Sequence, residues 1–174
     1  MNKEQIVQKL KDNFISLNDW LQEHDDTQFD VSLREGKWTT GQHVDHLIRS
    51  MAPLNKIYRL PKFVIKWRFG VNNREERSYE ETYQRYVHTL KEKGIKATGR
   101  FLPGDIRNRD KSQKITELKC QSKTFINAVR RQTEESLSKY IVPHPAIGYL
   151  TFREMAYFTA LHTDHHHQIL KKYH

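Results

Sequence analysis

Apolar residues recur at helical spacing along most of the chain, and the intervals predict five helices. Ile6, Leu10, Phe14, Leu17 and Leu21 make one stripe over about residues 2–21. Thr39 to Gln42 has the Thr-x-x-Gln form of a capping box and opens a second helix carrying Val44, Leu47, Met51, Leu54 and Tyr58. Pro53 is a candidate kink, and Pro61 should end that helix or begin a short extra turn. Ser78 to Glu81 is a second box, starting a helix that runs to about Lys93. Asp110 to Gln113 resembles a third, opening a helix with Ile115, Leu118, Phe125, Ile126 and Val129 that extends to about Lys139. After a turn-rich stretch from Val142 to Tyr149, the box Thr151 to Glu154 starts a fifth helix that continues almost to the C-terminus. Alternating strand patterns are scarce, so the predicted class is all-α, and five helices with connections of mixed length predict an antiparallel bundle.

At 174 residues, with no repeat, low-complexity tract or linker, residues 1–174 are expected to form one domain. No run approaches the roughly 18 apolar residues of a membrane span. The N-terminal segment lacks the apolar core of a signal peptide, and the single cysteine, Cys120, rules out an internal disulfide. These features predict a soluble, cytoplasmic protein. The formal net charge is +9, with basic concentrations at Lys62–Arg68, Lys91–Arg100 and Arg107–Lys114. No zinc-finger or RNA-recognition signature accompanies them. The expectation is therefore no nucleic-acid partner and no membrane partner, with the charge serving an anionic small substrate or merely solvation.

Four of the ten histidines fall within Leu161–Gln168. On a helical projection Phe152, Met155, Thr159, Ile169, Leu170 and Tyr173 define one face. His162 and His166 sit in its middle, one turn apart, with His165 at the margin and Asp164 and His167 pointing away. Two imidazoles stacked in an apolar stripe cost several kcal/mol unless both are satisfied, which a metal ion achieves. A third donor is needed. The second helix offers His43 and His46, and helical phase slightly prefers His43.

The block Trp38 to Leu47 resembles the Trp-Ser/Thr-x-x-Glu/Gln-x-x-x-His-Leu motif of DinB-like (YfiT-like) proteins. His144 to Glu154 is similar to their His-Pro-x-x-Gly-x-Leu-Thr segment, and His162 to Gln168 to their closing His-x-x-x-His-x-Gln. The resemblance implies an antiparallel four-helix bundle with a short extra helix, often dimeric. It also implies a metal site of His46, His162 and His166. Gln42 stands where many members have Glu, and His43 where an aliphatic residue is common. Family chemistry includes metal-dependent hydrolases, thiol S-transferases using bacillithiol or mycothiol, and mycothiol-dependent isomerases.

Three neutral imidazoles leave a coordination position open, as in catalytic sites. The expected cofactor is a divalent transition metal, Zn or Ni first, with Fe or Mn compatible. Water attacking an ester or amide would need a general base such as Asp45, His43 or His165. A small anionic thiol would need only cations for its carboxylates, for which Arg49 and Arg153 are candidates. Cys120 is read as a passive thiol and Trp38 as a packing residue. Helix-borne aromatics (Tyr79, Tyr83, Tyr86, Phe125), together with the resemblance, favour a homodimer.

Overall fold

Helix-forming sequence with a single apolar stripe must pair its stripes, and here four long helices do so. In the computed structural model, which describes residues 1–24, 26–94 and 97–173, these are α1 (Lys3–Glu23), α2 (Thr40–Ile57), α5 (Lys111–Arg130) and α7 (Phe152–Tyr173). Helix α2 packs on α5, α5 on α1, α1 on α7, and α7 back on α2, closing a four-helix bundle. Leu10, Leu17, Leu118, Phe125 and Leu170 are among its fully buried side chains, each worth roughly 1.5–3 kcal/mol of transfer free energy. Helices α3 (Lys62–Phe69), α4 (Tyr79–Lys93) and α6 (Glu134–Lys139) lie around it, with α4 and α6 against α7.

Capping chemistry sets the boundaries. Thr39 and Ser78 form full capping boxes with Gln42 and Glu81. Thr151 and Glu154 exchange the same reciprocal bonds at the start of α7. An unanticipated box, Asn2 with Gln5, starts α1. Asp110 behaves differently: its carboxylate accepts from the Arg107 amide and leaves α5 without a side-chain cap.

The predicted fourth helix is two. Helix α5 stops at Arg130, and Thr133 restarts the chain by accepting from the Ser136 amide. Pro61, as expected, begins a separate short helix, α3. The stretch read as irregular holds a hairpin of β1 (Ile141–His144) and β2 (Gly148–Thr151), antiparallel with Val142 opposite Leu150. Both of those residues are fully buried, and Gly148, at φ +80, allows the tight return. Four residues per strand are too few for alternation to stand out in sequence.

The basic stretch Lys91–Arg100 includes Lys96, which lies outside the described residues. Among the aromatics read as available to a second copy, Phe125 and Tyr86 are buried within the bundle, Tyr79 is half-buried, and only Tyr83 is exposed.

Candidate metal centre

Three histidines from two helices meet in the bundle interior. His46, in the second turn of α2, and His162 and His166, one turn apart on α7, are all buried. Their ligating atoms all lie within 4.8 Å of one another. The Nε2 of His162 is 3.0 Å from that of His46 and 3.0 Å from that of His166. No cysteine, carboxylate or fourth histidine joins the group among the described residues.

The outer nitrogens have partners. His46 Nδ1 lies 2.8 Å from the Phe101 carbonyl oxygen, which only accepts, so the ring proton sits on Nδ1 and Nε2 is bare. His166 Nδ1 lies 2.7 Å from His43 Nδ1. Whatever the tautomers of His43, His162 and His166, the single position on His162 Nε2 cannot satisfy both neighbouring nitrogens. Burial pushes the pKa of His162 and His166 well below the ordinary histidine value, and the neighbouring rings push the same way. His43 is pushed down to about 4 by burial, then by His46 and His165. His46 is lowered too, burial outweighing the Phe101 carbonyl and Asp45. Three buried, neutral imidazoles aim one nitrogen each at a common point, which is the donor set a divalent cation fits.

Both histidines of α2 are buried because that helix is covered over a wide arc. Helices α5 and α7 close two sides, and the segment around residues 99–106 closes a third. His43, which helical phase preferred, therefore lies behind the cluster, against the far nitrogen of His166.

Asp45, a candidate base on sequence, is a clamp in the structure. Its carboxylate accepts from Arg49 Nε (2.6 Å), Lys114 Nζ (2.8 Å) and the Gly104 amide (2.9 Å). Burial raises its pKa, but Lys114, Gly104 and Arg49 outweigh that and leave it lowered. It is an anion already spent on holding the 101–104 segment, and that segment presents the carbonyl that orients His46. Arg49 is committed to Asp45. Arg153 lies in the first turn of α7, bonded to Glu76 and Glu134, away from the histidines. Cys120 is exposed.

Several residues at the site take roles there that sequence did not assign them. Trp38 is half-buried, with ring centroids 4.9 Å from His46 and 6.1 Å from His166, so it walls the cluster as well as packing. Phe158 stacks on His162 at 5.1 Å, and Tyr86 lies 5.7 Å from the half-buried His165. His167, expected to point away, is buried against Trp20. These contacts join segments far apart in the chain, which residue spacing does not report.

Comparison with solved structures gives the same fold at low identity. TT2238, a four-helix bundle protein, aligns with a TM-score of 0.62 and 15% identity, covering 98% of this chain and 99% of that one. YfiT from Bacillus subtilis, described as a probable metal-dependent hydrolase with an unusual four-helix bundle topology, aligns at 0.58 and 19%, covering 95% and 81%. The colibactin self-resistance protein ClbS, in complex with double-stranded DNA, aligns at 0.59 and 15%, covering 98% and 94%. No curated protein matches the chain in sequence. The ClbS complex overturns the expectation of no nucleic-acid partner. A protein of this fold meets duplex DNA, and neutralising phosphates needs cations but no recognisable motif. The family model of the DinB superfamily matches residues 12–170, and the chain belongs to that superfamily.

Proposed function

We propose that His46, His162 and His166 hold one divalent transition metal through Nε2, and that the protein is a metal-dependent enzyme activating a small anionic thiol or water. The observation that carries this is the convergence of three buried Nε2 atoms, two of whose rings are oriented by outer partners, with no fourth side chain among the described residues to close the group. A bound ion would supply Lewis acidity that makes a thiolate or hydroxide available near neutral pH.

The chain's own residues do the rest. Phe101 and His43 fix the ring orientations, and Asp45 holds the segment bearing Phe101. Trp38 and Phe158 keep one side of the site apolar, which favours a soft sulfur donor. The thiol reading, a bacillithiol-type S-transferase, is preferred because Asp45 is occupied and no carboxylate among the described residues joins the cluster to serve as a general base. Hydrolysis is the second reading, favoured by the YfiT similarity.

The test is elemental analysis followed by cobalt substitution. One equivalent of metal, and a cobalt spectrum that changes on adding bacillithiol or a similar small thiol with release of a proton, is the expected result. An unchanged spectrum combined with ester or amide hydrolysis abolished by His166→Ala would select the hydrolase. Absence of stoichiometric metal would overturn both.

A further inference from the structure

The chain from His46 to Arg74 contains no aspartate or glutamate but seven lysines and arginines. Helix α3 lies within it and is apolar on two opposite sides. Inward, Ile65 is fully buried and Lys62 reaches over the Phe152 and Tyr140 rings, seating the helix on the hairpin. Outward, Phe63 and Trp67, one turn apart, are 74% and 83% exposed, with Leu60 ahead of them at 39%. Lys56, Arg59, Lys66 and Arg68 surround this ridge, all exposed and none in an ion pair with a described residue. A short helix with a second, unburied aromatic stripe has a surface that asks for a cover.

We propose that α3 docks the protein on an anionic lipid bilayer surface, with Phe63 and Trp67 entering the headgroup–acyl boundary and the four cations meeting lipid phosphates. No helix among the described residues is long and apolar enough to cross a membrane, so the contact is peripheral. A protruding ridge of Leu, Phe and Trp flanked by Lys and Arg has the composition of interfacial helices. A second copy fits poorly, because a two-fold interface would set the ridge against itself and oppose its cations. Duplex DNA matches the charge but hides its base faces, so the rings would gain contact only by unstacking a step. From His46 to the end of α2 is eleven residues, about 16 Å of helix. The ridge and the histidine cluster are therefore separate features along the chain, and docking uses none of the three histidines.

The test is co-sedimentation of the full chain with vesicles of phosphatidylcholine alone, or mixed with phosphatidylglycerol. Trp67, the exposed member of three tryptophans, is followed in parallel by quenching with brominated lipid. The proposal expects binding to the anionic vesicles only, weakening as salt rises. Quenching should be lost on Trp67→Ser, and affinity should fall at least about tenfold in Phe63→Ser/Trp67→Ser. Lys66→Glu/Arg68→Glu should weaken binding similarly, with helical content and metal stoichiometry unchanged. No binding to anionic vesicles at low salt would overturn the proposal, as would undiminished binding by the double serine variant. So would a protein that ignores vesicles but loses duplex-oligonucleotide binding, or a homodimer, on those substitutions.

Discussion

The first turn and the middle of α7 bury polar side chains in opposite ways. In the first turn, Glu154 is fully buried and saturated: it accepts from Arg74, from the Arg77 and Thr151 amides, and faces a second arginine. Arg153 beside it reaches Glu76, Glu134 and the Met1 carbonyl. Eight residues beyond Glu154, His162 is also buried, but its Nε2 faces two other ring nitrogens that it cannot both satisfy. The first arrangement sets arginines against a carboxylate and needs no added ion; it ties residues 74–78 and the N-terminus to the bundle. The second is open and asks for a cation. Burial of polar atoms therefore does not mark a site, whereas convergence of unsatisfied donors does.

The largest contrast should come from His162→Leu. Metal affinity should fall by more than the roughly 100-fold that loss of an outer partner costs. Under chelation the variant should be as stable as the parent or more so, since an unsatisfied group is replaced by an apolar one. Calorimetric metal titration and chemical denaturation check the two halves, and a destabilised apo-variant would make the middle of α7 structural like its first turn.

Glu154→Ala should do the reverse. It leaves Arg74 and Arg77 facing a buried vacancy and should destabilise by about 3–5 kcal/mol. The metal bound per folded molecule should stay the same. A metal defect without a stability defect would erase the distinction.

Outer partners should give intermediate effects. His43→Ala and Asp45→Asn should each weaken metal binding by about 10–100-fold, through ring orientation and through the 101–104 segment respectively. His46→Ala should exceed both. If His43→Ala matched or exceeded it, the ligand and its support would have to be exchanged.

The most gradual effect is a pH slope. His43 and His144 have folded pKa values of about 4 against an ordinary 6.5, burial being the first cause in each. Between pH 6.5 and about 4 the unfolded chain therefore binds protons that the folded one refuses. Metal-free stability should be full above 6.5 and fall as pH drops through that window, by at most about 1.4 kcal/mol per unit for each ring. Glu154, whose pKa lies below the usual 4.5 because its Arg74 and amide partners outweigh burial, should add its loss only below 4.5. His144 accepts from the Ala146 and Ile147 amides in the hairpin turn. Replacing it by Asn should flatten the upper part of the urea-measured profile without touching the lower part.

Local rules carried much of the architecture. The stripe from Ile6 to Leu21, the boxes at Thr39, Ser78 and Thr151, and the break at Pro61 depend on residues within a turn or two of each other, and sequence displays such neighbours directly. The i, i+4 pair His162 and His166 was legible for the same reason. Three kinds of feature were not. The split between α5 and α6 turns on Gln132 donating to the Tyr58 and Ala128 carbonyls, the first a long-range contact. The choice between His43 and His46, open on helical phase, follows from what covers α2, because two residues three apart differ by only about 60° and both fall on a wide buried arc. The partners that orient the rings, Phe101 and His43, are 55 and 123 residues from the rings they touch. Periodicity reports which face of a helix turns inward, but only the packed bundle decides which nitrogens then meet.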